Sequence, residues 1–281
     1  MSGVGKFPLA FLILFTLAIF SRAEIQEAQP HHSWDLGIEI YHFEYGEPGL
    51  MKDKGLFSGL NTSYQYYNNY RLYRIEGRIA TGKVDYESQG TGTMDNVGDY
   101  AFELRGLIGY DFINPSFSSS RADLSCIPFI GIGYRYLNDD SSDMITSTGA
   151  AGYERESNYI YSPVGIEVTR YLGSDTNSWS IGATAEFDIF WWGRQISHLS
   201  DAGLGYADLR NKQDSGYGLR GSLELTKKSE GFDFVLEPFI RYWHIDRSNV
   251  NEVFKVGTIW GYGWEPKNET TEIGVKLAIK F

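Results

Sequence analysis

An all-β fold, a single antiparallel up-and-down barrel of about ten membrane-crossing strands, is what this 281-residue chain predicts. Three observations carry that prediction. The last twelve residues, TTEIGVKLAIKF, place Thr271, Ile273, Val275, Leu277, Ile279 and Phe281 on one face and Glu272, Lys276 and Lys280 on the other, a period of two that no helix shares. Nine earlier stretches repeat the alternation. The connections between them alternate long and short, in the phase that leaves both chain termini on the same side of the membrane.

The phase of each strand follows from the parity that is free of charge. The first, Trp34 to about Tyr45, turns Trp34, Leu36, Ile38 and Ile40 toward lipid and Asp35, Gly37 and Glu39 inward. The second, Leu56 to Tyr67, turns Leu60, Thr62, Tyr64 and Tyr66 outward, and after an Asn68-Asn69 turn the third, Tyr70 to Ala80, sets Tyr73, Ile75 and Ile79 against Arg74, Glu76 and Arg78. The fourth, Tyr100 to Asp111, opposes Tyr100, Phe102, Leu104 and Ile108 to Glu103 and Arg105. The fifth, Ile127 to Leu137, opposes Ile130, Ile132, Tyr134 and Tyr136 to Phe129 and Arg135. The sixth, Asn158 to Leu172, faces Val164, Ile166 and Val168 away from Glu167. The seventh, Trp179 to Trp192, carries six apolar outward positions opposite Glu186 and Asp188. The eighth, Tyr217 to Thr226, sets Leu219, Leu223 and Leu225 against Arg220 and Glu224. The ninth, Phe232 to Ile245, sets Phe234, Leu236, Ile240 and Tyr242 against Glu237 and Arg241, with Pro238 awkward because proline cannot complete a ladder.

The connections read as long (46–55), short (68–69), long (81–99), medium (112–126), long (138–157), short (173–178), long (193–216), short (227–231) and long (247–269). Eight or twelve strands are the alternative counts if a weak stretch is misread. Residues 1–23 hold Lys6, an apolar run from Phe7 to Phe20 and Ser21-Arg22-Ala23, the pattern of a cleaved secretory signal, which leaves 24–281 as the barrel domain. That run, about 14 residues, is short for a membrane helix, and no later stretch approaches the roughly 20 such a helix needs. No cysteine stands at the cleavage site, against a lipid anchor, and Cys126 is the only cysteine in the chain, so no internal disulfide forms.

Cleavage would remove Lys6 and Arg22 and take the formal charge from −11 to −13. An acidic chain with no Lys/Arg cluster and no glycine-rich phosphate loop is not expected to bind nucleic acid. Composition agrees with a barrel: 20 Tyr, 17 Phe, 7 Trp and 32 Gly against 8 Pro, with negative mean hydropathy because only alternate residues meet lipid. Tyr64, Tyr66, Tyr67, Tyr70, Tyr73, Trp191, Trp192 and Trp243 collect near strand ends, where amphipathic rings suit the headgroup level. The inward parity supplies Glu39, Arg74, Glu76, Arg78, Glu103, Arg105, Arg135, Glu167, Glu186, Asp188, Arg220, Glu224, Glu237, Arg241, Glu272, Lys276 and Lys280. In so narrow a barrel, these mixed charges are expected to pair into a plug rather than to line an open path.

The terminal strand, the signal and the alternating loops together resemble a bacterial outer-membrane β-barrel of the small surface-antigen or opacity type. The resemblance implies residence in the outer membrane, contact with its lipid and lipopolysaccharide, and recognition of the strand ending at Phe281 by the barrel-assembly machinery; oligomeric state is open. A ten-stranded topology also resembles the omptin proteases, whose chemistry uses an acidic pair and an Asp-His pair high on the wall. Asp95 with Asp99 and His198 with Asp201 come nearest, but their spacing departs from the close Asp-x-Asp and Asp-x-His arrangements, so no catalytic role is carried over. His244 and Asp246 read as rim residues, His31 and His32 as a solvated tail, and Asp139, Asp140 and Asp143 as an acidic loop without the calcium-loop pattern. No catalytic, cofactor-binding or metal residue is assigned. The expectation is a non-enzymatic structural or surface-interaction barrel with long outer loops and a largely plugged lumen. A narrow channel is the first alternative and an omptin-like protease the second.

Overall fold

A computed structural model describes residues 30–113, 124–173, 177–203 and 205–281. The signal stretch 1–23 and most of the 112–126 connection lie outside the described residues. Ten strands close into one barrel: β1 (His31–Glu47), β2 (Met51–Asn68), β3 (Arg71–Ser88), β4 (Gly92–Tyr110), β5 (Leu124–Asp140), β6 (Glu154–Leu172), β7 (Trp179–Ser197), β9 (Gly216–Lys227), β10 (Asp233–Ile245) and β13 (Asn268–Lys280). Each pairs antiparallel with its neighbours in that order, and β13 returns to β1, so there is no free edge. The seam is completed by Trp34 and Phe281, which exchange backbone hydrogen bonds of 2.7 and 2.9 Å.

Strand β1 shows why the sequence folds this way. Every odd residue from Ser33 to Glu47 faces the lumen and is buried, apart from half-buried positions on the other parity near the top. Trp34, Leu36, Ile38 and Ile40 stand outward, each about half exposed, and the outward parity of the other strands continues this apolar belt. A soluble protein would not leave such a band open to water. Above the belt the outward residues turn polar: Glu44 pairs with Lys52 and Lys54 at 3.7 and 3.0 Å.

The strands run well past the belt toward the mouth, the rim opposite the two termini. This corrects two of the long connections: 46–55 and 81–99 are mostly ladder, closed by turns at 48–50 and 89–91. Apolar alternation ends where lipid ends, but backbone pairing needs no lipid, so the pattern fades before the strand does. The longer mouth connections carry structure of their own: the short helix α1 (Leu199–Ala202), strand β8 (Leu209–Gln213) added to β7, and the hairpin of β11 (Asn251–Lys255) with β12 (Thr258–Gly263).

Two local devices shape the wall. The β2–β3 turn is Asn69-Tyr70, with φ of 46° and 70°, the left-handed pair that matches hairpin twist. Tyr70 lies parallel to Tyr110 at 5.6 Å, a contact that helps hold this uncommon backbone. On β7 a bulge falls at Trp191, because Tyr161 opposes Phe190 while Ile160 opposes Trp192. The extra residue reverses the parity of everything after it.

Candidate functional site

The lumen is filled by a continuous network of charge-assisted hydrogen bonds among the inward residues. Arg78 donates to Glu39, Glu103 and Glu272 at 3.2, 2.9 and 3.1 Å, and Arg241 binds Glu39 and Glu272 at 2.9 and 3.0 Å. Arg135, wholly buried, reaches Glu272 at 3.1 Å and stacks over Trp243 at 5.3 Å. Arg220 joins Glu103, Glu186 and Asp188, the last at 2.7 Å, and Arg105 bridges Glu186 to Glu76. Arg74 continues to Glu167 at 2.9 Å. Toward the terminal end Lys276 holds Asp35 and Glu237 at 3.2 and 3.1 Å. Each strand contributes these groups at alternate positions, so register sets which carboxylate meets which guanidinium. Either partner alone would be costly to bury, and pairing offsets most of that cost; Arg135 Nε and Nη1, Arg74 Nε and Asp188 Oδ1 are left without a hydrogen bond.

Aromatic rings close the space above this network. Tyr41, Phe43, Phe57 and Phe239 pack on one side, and Tyr159, Tyr161, Phe190, Trp243 and Ile245 on the other. Tyr161 donates to Glu103 at 2.6 Å and lies on Gly133, where an added Cβ would sit 2.2 Å from the ring. Trp243 and Tyr67 therefore depart from the headgroup assignment: both point inward and are buried, Trp243 beneath two arginines. A polar cavity of ≈ 170 Å³ lies among the network residues and extends toward the termini, lined by Asp35, Gln65, Arg74, Glu76, Lys276 and Lys280 among others.

A second charged layer lies at the mouth. Arg155 donates to Glu47 at 2.9 Å, Asp53 at 3.2 Å and Asp139 at 2.6 Å, and stands over the Tyr45 ring at 5.3 Å. Tyr45 in turn donates to Glu265 at 3.0 Å. Burial, reinforced by the Glu47 charge, pushes the Glu265 carboxyl up to about 7. With buried Asp99 alongside, five carboxylates face one arginine here. Above them opens a vestibule of ≈ 900 Å³ walled by Tyr86, Tyr153, Tyr206, Trp260, Tyr262 and Trp264. The alternation argument missed this layer because its strands extend beyond the apolar belt that set the phase. Asp139 and Asp140 correct the acidic-loop reading: they are the last two residues of β5, with Asp139 facing inward to Arg155 and Asp140 accepting from the Ser142 amide at 3.1 Å.

The other sequence candidates are dispersed. Asp95 is exposed at a bulge opposite Asp85, Asp99 is inside, and His198 with Asp201 lies on the outer wall beside Glu154 and Glu156, so the four do not converge. His244 sits outward at the rim as expected, near Glu269 at 3.2 Å and Asp246 at 3.4 Å. His31 and His32 are not a tail: they open β1, and His32 contacts the Tyr64 hydroxyl at 2.6 Å.

A closed ring of ten antiparallel strands, apolar outside and charged inside, decides the class. The fold is that of an outer-membrane β-barrel. Among solved structures, the barrel aligns with the outer membrane protease OmpT from Escherichia coli over 89% of this chain and 96% of that one, at 9% identity and a TM-score of 0.58. The translocator domain of the autotransporter NalP from Neisseria meningitidis aligns at 11% identity over 88% of each chain, with a TM-score of 0.38. The toluene transporter TodX from Pseudomonas putida aligns at 10% identity over 89% of each chain, with a TM-score of 0.34. No family model and no curated protein sequence matches the chain. Of the three structures only the first is similar enough to bear on the fold, and at 9% identity it bears on the fold alone.

Proposed function

We propose that this barrel is a non-enzymatic anchor in the bacterial outer membrane, closed to solute flow, which presents its mouth and loops to the exterior as a structural or interaction surface. The observation that carries the reading is the lumen network: Glu39, Glu272, Arg135 and Asp188 at mid-barrel have no solvent exposure, and each is locked in ion pairs with other strands. A conducting barrel would need those side chains to part. An excess of carboxylates and aromatic rings at the mouth favours cationic or aromatic partners over anionic ones.

In this reading the signal stretch is removed on export, the apolar belt meets lipid, and the outward lysines above it, Lys52, Lys54 and Lys83, suit the phosphates of lipopolysaccharide. The strand ending at Phe281 serves the assembly machinery. The refolded protein in liposomes tests the closure: entrapped small sugars and dyes stay inside at the rate of empty vesicles. Rapid release of uncharged sugars would favour the channel alternative.

A further inference from the structure

The outer wall at the mouth carries a cluster that the lumen does not use. Glu154 and Glu156 open β6 on its outward face, either side of the inward Arg155. His198 follows β7, and its amide donates to the Glu154 carbonyl at 2.9 Å, which continues the β6–β7 ladder by one more pair. Without the bulge at Trp191, His198 would share the parity of Glu186 and Asp188 and point into the lumen. The bulge re-aims it outward beside the two glutamates, a use to which bulges near functional sites are put.

The side-chain chemistry there is unbalanced. His198 Nδ1 lies 3.1 Å from Asp208 Oδ2, and Nε2 lies 3.0 Å from Glu156 Oε1. Asp208 is itself oriented by the Ser200 hydroxyl at 2.7 Å and the Ser200 amide at 3.3 Å. Glu154 is oriented by the Asn138 amide group at 2.6 Å. With a hydrogen on both nitrogens the ring donates to Asp208 and to Glu156; once Nε2 gives up its hydrogen, its lone pair and the Glu156 oxygen are two acceptors 3.0 Å apart that a bound cation would join. Among the described residues no lysine or arginine pairs with Glu154, Glu156 or Asp208. One ligand atom each from Glu154, Glu156 and His198 lies within 4.8 Å of the other two, the spread of donors around a single ion.

We infer that Glu154, Glu156 and His198 Nε2 form a surface site for one divalent transition-metal ion, with Asp208 as the carboxylate that fixes the imidazole from behind. A ring nitrogen with two carboxylates suits zinc or manganese better than calcium, and an Nδ1–H held by a carboxylate is the usual support of a metal-bound histidine. All three donors are half-buried, so solvent supplies the remaining positions. The bound ion would pin His198, and with it the start of α1, to the barrel wall beside the vestibule. The site is independent of whether the lumen conducts.

Isothermal titration of the refolded full-length protein with zinc chloride, in detergent and a non-chelating buffer, tests this. One zinc per chain is expected, with at least a tenfold loss of affinity in His198→Ala and in Glu156→Gln, about a tenfold loss in Asp208→Asn, and none in His244→Ala. Absence of binding to the wild type, or equal binding by His198→Ala, overturns the assignment. X-ray absorption on the zinc-loaded wild type keeps the test open should a variant misfold: one imidazole among oxygen ligands is expected, and a shell with two or more imidazoles, as His31 with His32 would give, contradicts it.

Discussion

Glu272 accepts from three arginines on three different strands, Arg78, Arg135 and Arg241, and is itself without solvent exposure. For Arg135 it is the only carboxylate within pairing distance among the described residues. Glu272→Ala is therefore expected to destabilise the folded barrel by about 3–5 kcal/mol, the cost of leaving buried charge unpaired, read as a lowered urea midpoint for unfolding from lipid vesicles. Gly133 is a second position where one residue constrains the whole lumen, because the Tyr161 ring occupies the place of a side chain. Gly133→Val should displace that ring from Glu103 and cost roughly 1–3 kcal/mol by overpacking. A smaller midpoint shift than that of Gly133→Ala would contradict the packing account.

At the scale of elements, the sequence disclosed the strands through what they meet outside. Where lipid lies against the wall, as along Trp34 to Ile40 or Ile273 to Phe281, apolar alternation sets both existence and phase, and all ten strands follow it. Beyond the belt nothing demands apolar residues, so the upper halves of β3 and β4 look like loop, and Arg155, Asp53 and Glu47 went unseen. Bulges hide in the same way: Trp191 and the Asp95-Asn96 pair shift parity with no composition signal, which is why the facing of His198 was not legible. Pro238 was legible as a problem, and the solution is visible in the ladder. The β9–β10 pairing lapses opposite Glu237 and Pro238 and resumes at Phe239. Pro238→Val should close that gap and raise stability by about 0.5–1.5 kcal/mol, the worth of one hydrogen bond; an unchanged or lowered midpoint would show that the gap has another cause.

The segment between β12 and β13 adds a pH dependence. Glu265 titrates near 7 in the folded mouth against an ordinary carboxyl value of 4.5, so the fold binds its proton more tightly than the unfolded chain does. Its contribution is fully present below about 4.5 and is lost as pH rises through 7. Glu265→Gln, which cannot ionise, should therefore gain stability relative to the wild type across that window and hold a constant advantage above it. Thermal unfolding of both proteins from pH 4 to 8 checks the sign; a difference that shrinks with rising pH would reverse the account.

On the scale of the whole molecule, one surface faces lipid, one interior neutralises itself, and one end is left open and acidic. Closure of the ten-stranded ring leaves only the short β8 at an edge of that sheet, and the ion pairs tie strands that are far apart in the chain, such as β1 to β10 through Glu39 and Arg241 and β4 to β9 through Glu103 and Arg220. These long-range pairs make the plug a consequence of the barrel's register, not an added domain. In the proposed reading the interactive surface lies at the mouth, because the mid-barrel charges Glu39, Glu272, Arg135 and Asp188 are engaged in ion pairs across the lumen. Planar-bilayer recording of the refolded wild type tests that claim most directly. Membranes that contain the protein should show no stable single-channel steps at moderate voltage; steady, reproducible conductance would contradict a closed lumen.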